Sequence, residues 1–242
     1  MTTCWAMTLA YNEAPLIRYW VRAYREFCDR VIVYCDLGSD DGTATLARRE
    51  GAEVRPYGPS DLDDVAFVAF AQERYREARG HADWVVWADA DEILYHPRMT
   101  ERLVELRQAG VNYPTVTGYS MMADHPPTGL GQIYDEIQSG VQADAYSKVC
   151  IFDPALEVRW ATGKHTAEVE GAVSDDGSDP LRLLHYRWLG QEYFLQRNRR
   201  NYARLNAMNK AMQHGRETYP GYQGIYSPTW YAERRSLAEV IV

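Results

Sequence analysis

Three carboxylates fall within four positions at Asp89-Ala90-Asp91-Glu92, directly after the apolar run Trp84-Val85-Val86-Trp87-Ala88. An apolar, partly β-branched run of that length reads as a buried strand of a mostly parallel sheet. Ligands of such sheets bind beyond the carboxyl ends of the strands. If the strand geometry continues, Asp89 and Asp91 point the same way, with Ala90 between them. Like charges that close repel unless a cation or a proton lies between them. A hard divalent ion, held by few protein oxygens and completed by phosphates, suits such a pair. The same spacing also occurs as plain solvated acids after a strand, and as the Asp-x-Asp of phosphatases that form an aspartyl phosphate.

The elements that must position these acids follow from periodicity. Thr3 to Leu9 reads as a first strand, broken at Ala10-Tyr11-Asn12-Glu13-Ala14-Pro15. Leu16, Tyr19, Trp20, Ala23, Tyr24 and Phe27 recur at helical spacing as far as about Cys28. Arg30 to Cys35 is a second strand ending at Asp36, followed by the turn-rich Leu37 to Thr43 and a short helix through Arg49. Gly51 to Tyr57 is a third strand, and Asp61 is read as the cap of a helix reaching Arg79. This alternation predicts a Rossmann-like, mostly parallel sheet flanked by helices. Polar residues then collect at one sheet edge: Tyr11 to Glu13, Asp36 to Asp41, and Asp89 to Glu92. No Gly-x-Gly-x-x-Gly or Gly-Lys-Ser/Thr loop follows the first strand, which argues against a dinucleotide or P-loop enzyme. The phosphatase reading weakens too, because its nucleophile belongs to the first strand.

The second half predicts a helix over Met99–Ala109, a strand over Tyr113–Ser120, a long loop over Met121–Gly140 and a strand over Tyr146–Phe152. Loops of that length are often lids or binding segments. His165 and His185 fall near strand ends. Gln191 to Gln213 reads as one helix rich in arginine and asparagine that covers the sheet edge, and Tyr219 to Val242 is aromatic and weakly patterned.

Composition narrows the function classes. With 46% hydrophobic and 25% charged residues, the 242-residue chain can bury a core. A net charge of −8 argues against a nucleic-acid partner held by a general basic field. No apolar run approaches the roughly 20 residues of a membrane span. The amino-terminal stretch lacks the pattern of a signal peptide, and the four cysteines lack paired zinc spacing, so reduced thiols and a cytoplasmic location are expected.

Ala10-Tyr11-Asn12-Glu13, Asp36-x-x-Ser39-Asp40-Asp41-Gly42-Thr43 and Asp89-Ala90-Asp91-Glu92 together resemble family 2-type glycosyltransferases of the GT-A fold, over residues 3 to 95. Lys148-x-x-Ile151-Phe152, Gly163-x-His165 and Leu183-x-His185-Tyr186-x-x-Leu189-Gly190 resemble, more loosely, a poorly characterised bacterial-type branch of that group. The resemblance implies one GT-A domain over 1–242, with a nucleotide-binding half (1–95), an acceptor-side half (96–190) and a helical C-terminal extension (191–242). It implies an inverting, hexosyltransferase-type enzyme that uses Mn2+ or Mg2+ and a UDP- or GDP-sugar, with a hydroxyl acceptor of unknown kind. Tyr11 would lie against the base, Asp36 would accept from base or ribose, and Asn12 and Glu13 would flank them. Asp91 would hold the metal, Asp89 would contact the ribose or a metal water, and His185 or His165 would complete the metal shell. Histidine in the shell would lean the site towards manganese. Lys148, Arg197 and Arg200 could neutralise diphosphate, or be solvated surface charges. The acceptor's base would be Asp124 or Asp144, with Glu136 a further candidate. A nucleotidyltransferase acting on a sugar phosphate, or a nucleotide-binding module without catalysis, would use the same sheet.

Overall fold

The computed structural model describes residues 2–58, 61–213 and 228–242. The first half follows the expected alternation: β1 (Cys4–Ala10), α1 (Ile17–Arg25), β2 (Arg30–Asp36), α2 (Thr43–Arg49), β3 (Glu53–Tyr57), α3 (Asp64–Arg74) and β4 (Trp84–Trp87). Its sheet runs β3-β2-β1-β4 in parallel and is closed by a short antiparallel β8 (Ile151–Phe152). The protein is therefore of the α/β class with a mostly parallel sheet between helices, as its alternation predicts.

Burial on both faces explains why β4 is apolar throughout. Trp84 and Val86 join one core cluster with Ala6, Trp20 and Tyr24, while Val85 and Trp87 join the opposite one with Met7, Ile32 and the α3 residues Val68 and Ala71. A strand covered on both sides has no polar alternation to show.

After the acids, β5 (Glu92–Tyr95) leaves this sheet for another. That second sheet has the order β12-β7-β6-β11-β5, built from β6 (Val116–Ala123), β7 (Ser139–Gln142), β11 (Leu181–Leu189) and β12 (Glu239–Val240). Only its β6–β11 pair is parallel. The helix α4 (Met99–Gln108) lies between β5 and β6, and β9 (Glu157–Trp160) with β10 (Ala167–Glu170) forms a separate hairpin. Tyr24 fastens the first sheet's helix to the second sheet: its hydroxyl donates to the Glu92 carbonyl (3.3 Å) and accepts from the Leu94 amide (3.0 Å).

Several boundaries differ from those expected. The cap of α3 is Asp63, whose carboxylate accepts from the Ala66 amide at 2.9 Å, and not Asp61. The expected loop over 121–140 contains the end of β6, a one-turn helix α5 (Ile133–Glu136) and the start of β7. The strand expected over 146–152 shrinks to β8. The expected single helix over 191–213 is two, α6 (Gln191–Arg204) and α7 (Ala207–Ala211), because Asn206 caps α7 and pairs with Leu62 across the break. In the closing stretch, α8 (Pro228–Ser236) and β12 are formed, and the part over 214–227 lies outside the described residues.

Candidate functional site

The ends of β1 and β4 open into a cleft of about 620 Å³ bounded by α6 and the β9–β10 turn, while Asp36, at the end of β2, is buried behind Arg204 and does not line it. Tyr11, Glu13, Asp89, Asp91, Lys148, His165 and His185 line it, so most of the sequence-predicted residues converge. Asp124 and Asp144 do not line it. The Asp124 side chain is 75% exposed near Arg235, and Asp144 is exposed where a short turn begins. Glu136 accepts from the amides of Thr128 and Gly129 and so ties down its own loop.

The β1 turn is shaped by Asn12, which adopts the left-handed region at φ 50°, a conformation asparagine tolerates better than most residues. Its amide pairs with Asp40 in both directions, at 2.8 and 2.9 Å. Asp41 accepts from Ala14 and from Thr43, and the Thr43 hydroxyl accepts from the Glu13 amide. Asp40 and Asp41 thus fasten two loops together, leaving Glu13 buried and directed into the cleft.

The acidic turn departs from the expected strand geometry. The strand ends at Trp87, and the Glu92 amide closes a turn on the Asp89 carbonyl at 2.9 Å. Consequently Asp89 and Asp91 do not share one cation. Asp89, 42% exposed, takes the Lys164 ammonium on one oxygen and Lys148 at 3.5 Å on the other. Asp91, 4% exposed, accepts from His185 Nε2 at 2.9 Å and from Arg197 on the same oxygen. Glu92 borders the cleft but its carboxylate is taken inside the protein: at 1% exposure it pairs with Lys148 at 2.6 Å and accepts from the Asp89 amide.

Arg197 reaches Glu13 at 3.1 Å, Arg200 reaches Glu13 at 3.2 Å and the Asn12 carbonyl, and Arg204 reaches Asp36 at 2.5 Å. Arg197 is therefore engaged in the cleft, whereas Arg200 lies outside its lining, held by Glu13 and the Asn12 carbonyl. His185 is buried with its ring 4.1 Å from Tyr146, whereas His165 is exposed at the rim, within hydrogen-bonding distance of the Ala145 carbonyl at 2.9 Å. Among the residues a sequence reading passes over, Lys164 and Arg204 matter most. Lys164 follows Gly163 in a turn with φ 59° and 83°, a strained backbone that aims the ammonium at Asp89.

Burial pushes the carboxyls of Asp89 and Asp91 up, but the cations beside them prevail and hold both well below the usual range: Lys164 and Lys148 at Asp89, Arg197 and His185 at Asp91. Glu13 moves the other way, raised by burial against the pull of Arg197 and Arg200. A lowered folded-state pKa stabilises the fold above the ordinary carboxyl value of 3.8 and loses that contribution as pH falls through the folded value. Melting temperature should therefore fall as pH drops below about 4. Asp89→Asn should show a shallower fall; an identical slope in the variant would remove Asp89 as a source of it.

The donor types present, two aspartates and an imidazole, suit a divalent ion. Their present placement does not, since organic cations occupy both aspartates. No three His, Cys, Asp or Glu side chains converge to hold a metal among the described residues. An ion on Asp91 requires Arg197 to give way.

No helix among the described residues is long and apolar enough to cross a membrane. No protein-family model matches the chain, and no curated protein does. Solved structures similar to it include glucosyl-3-phosphoglycerate synthase from Mycobacterium tuberculosis in complex with Mn2+, UDP and phosphoglyceric acid, with 23% identity over 48% of this chain and 43% of that one, at a TM-score of 0.35. A mycobacterial protein shows 22% identity over 49% and 42% of the two chains, at 0.36. S. aureus TarS 1–349 shows 11% identity over 93% of this chain and 75% of that one, at 0.45. This chain thus spans less than half the length of the mycobacterial proteins it resembles. At these scores the likeness assigns no role to any residue.

Proposed function

We propose that the protein is a glycosyltransferase of the GT-A, family 2-like kind that moves a sugar from a nucleoside diphosphate donor to an acceptor hydroxyl with inversion. One observation carries the reading: two sequence-distant clusters, at Tyr11 to Glu13 and Asp89 to Asp91, meet in one cleft at the carboxyl edge of a parallel sheet, where such sheets take ligands, and a third, at Asp36, lies behind the cleft wall on Arg204. Once Arg204 moves aside, Tyr11 would offer a ring face for a base, and Asp36 a carboxylate for base or ribose. Lys164, Arg197 and Arg200 offer cationic groups for a diphosphate.

Asp91, with His185, would hold a Mn2+ or Mg2+ ion once Arg197 moves aside. The ion would supply charge neutralisation to the leaving diphosphate. The chain's own groups do the remaining work. Lys164, which lines the cleft with its ammonium on Asp89, would meet the departing phosphate charge. The rim imidazole of His165 is accessible for taking a proton from an acceptor hydroxyl, a role for which the cleft presents neither Asp124 nor Asp144.

Calorimetric titration of UDP and GDP, with Mn2+ and with EDTA, tests this reading. Binding should be metal-dependent, because carboxylates and diphosphate otherwise repel one another. Equal affinity in EDTA would remove the metal assignment, and no binding of either nucleotide would remove the donor. His165→Ala should retain nucleotide affinity and lose transfer by about 10²- to 10⁴-fold, the usual contribution of a positioned base. Unchanged turnover in a coupled nucleotide-release assay would exclude it.

A further inference from the structure

The arginines of α6 occupy the positions that the proposed donor and its metal need. The helix is anchored at its start by Phe194, which stacks on Trp188 with ring centroids 4.3 Å apart. Arg197, Arg200 and Arg204 then follow at three- and four-residue spacing, which places them along one face. Each arginine meets a polar group at the end of a parallel strand. Arg197 sits on Asp91, after β4, and on Glu13; Arg200 sits on Glu13 and the Asn12 carbonyl, after β1. Arg204 donates to Asp36, the last residue of β2, whose side chain is wholly buried.

The Arg204 contact is the most restrictive. Its guanidinium carbon lies 3.3 Å from the centroid of the Tyr11 ring. A planar base stacked on that face needs about the same separation for itself, so base and guanidinium cannot both lie there. Asp36 presents the same conflict, because the carboxylate that would accept from base or ribose already accepts from Arg204. The far end of the helix is held as well: the Leu62 amide donates to the Arg204 carbonyl at 2.8 Å, and Leu205 is buried beside it.

We propose that α6 is an internal cover of the donor site, and that nucleotide and metal bind by exchange with its arginines. Moving Arg204 off Asp36 would leave a buried carboxylate with the Gly38 amide on one oxygen and no partner on the other, unless the incoming ligand supplies a donor of its own. Base or ribose N–H and O–H groups supply one at Asp36, and a divalent cation supplies positive charge at Asp91. A ligand lacking either feature gains nothing by displacing the helix. The arrangement thus selects for a metal-bound nucleotide over free metal or free phosphate. Once released, Arg197 and Arg200 face the diphosphate. The inference rests on the donor-site reading above and predicts an effect opposite in sign to simple ligation by Arg204.

The test is titration of UDP and GDP with Mn2+ into the full chain and into Arg204→Gln, with circular dichroism confirming that both are folded. If the cover occludes the site about nine-tenths of the time, the variant should bind about tenfold more tightly, because apparent affinity scales with the open fraction. Arg204→Lys, which keeps a charge at Asp36 but gives up the planar group on Tyr11, should shift affinity in the same direction and stands in if the glutamine variant does not fold. Equal or weaker binding in the variants would overturn the cover and leave the donor-site reading standing. Absence of binding in every protein would overturn both.

Discussion

Asp91→Asn is expected to lower sugar transfer by at least about 10²- to 10³-fold, the usual loss when one preorganised electrostatic group is removed from a site. The structure adds a second consequence. Asp91 is 4% exposed and is the principal partner of Arg197, itself only 13% exposed. Removing one member of a buried ion pair typically costs about 3 to 5 kcal/mol, because the other charge remains in a poor solvent. Glu13 lies 3.1 Å from Arg197 and retains part of the neutralisation, so the lower end of that range is expected. Denaturant unfolding and calorimetry with UDP and Mn2+, performed on the same preparation, separate the two effects. Lost stability with metal-dependent binding intact would make Asp91 a structural residue and move the ion elsewhere.

Lys148→Met should be the more damaging change to the fold. The Lys148 ammonium and the Glu92 carboxylate are 2.6 Å apart, with side chains 4% and 1% exposed. Burial opposes the charge on Lys148, but Glu92 and Asp89 outweigh it and raise its affinity for the proton. Glu92 opens β5 of the second sheet, while Lys148 precedes β8 of the first, so the pair ties the two sheets together beneath the acidic turn. Leaving Glu92 alone should cost about 3 to 5 kcal/mol. Adding Glu92→Gln to Lys148→Met should restore part of that loss, since a neutral amide needs no counter-ion. Full stability in the single variant would show that water reaches Glu92 and that Lys148 is free to serve a ligand.

Helix α1 and strands β1, β2 and β4 are legible in the sequence because each is fixed by its own pattern. Leu16, Tyr19, Trp20, Ala23 and Tyr24 repeat at a helical period, and Trp84 to Trp87 are apolar because both their faces are covered. Parallel crossovers then place the strand ends together, and with them Tyr11, Asp36, Asp89 and Asp91. The second half is less legible. Strands β8 and β12 have two residues each, too short for any period to show, and β5 follows β4 so closely that one run conceals a change of sheet. A sequence pattern records which residues are buried, not which sheet buries them.

The partners of the acids were a matter for the tertiary structure alone. Carboxylates at a strand end declare that positive charge must come to them, and the sequence determined that much through the types and spacing of Asp36, Asp89 and Asp91. Which charge comes depends on contacts spanning long stretches of chain: Lys164 to Asp89, Arg197 to Asp91 and Arg204 to Asp36. Local spacing cannot encode these pairings, because long, flexible side chains from a helix and a hairpin turn are brought to the cleft only when the second sheet and α6 pack against the first. The same dependence separates the two histidines. Both lie near strand ends in the sequence, but only the register of β11 beside β5, with His185 opposite Glu92, brings one of them onto Asp91.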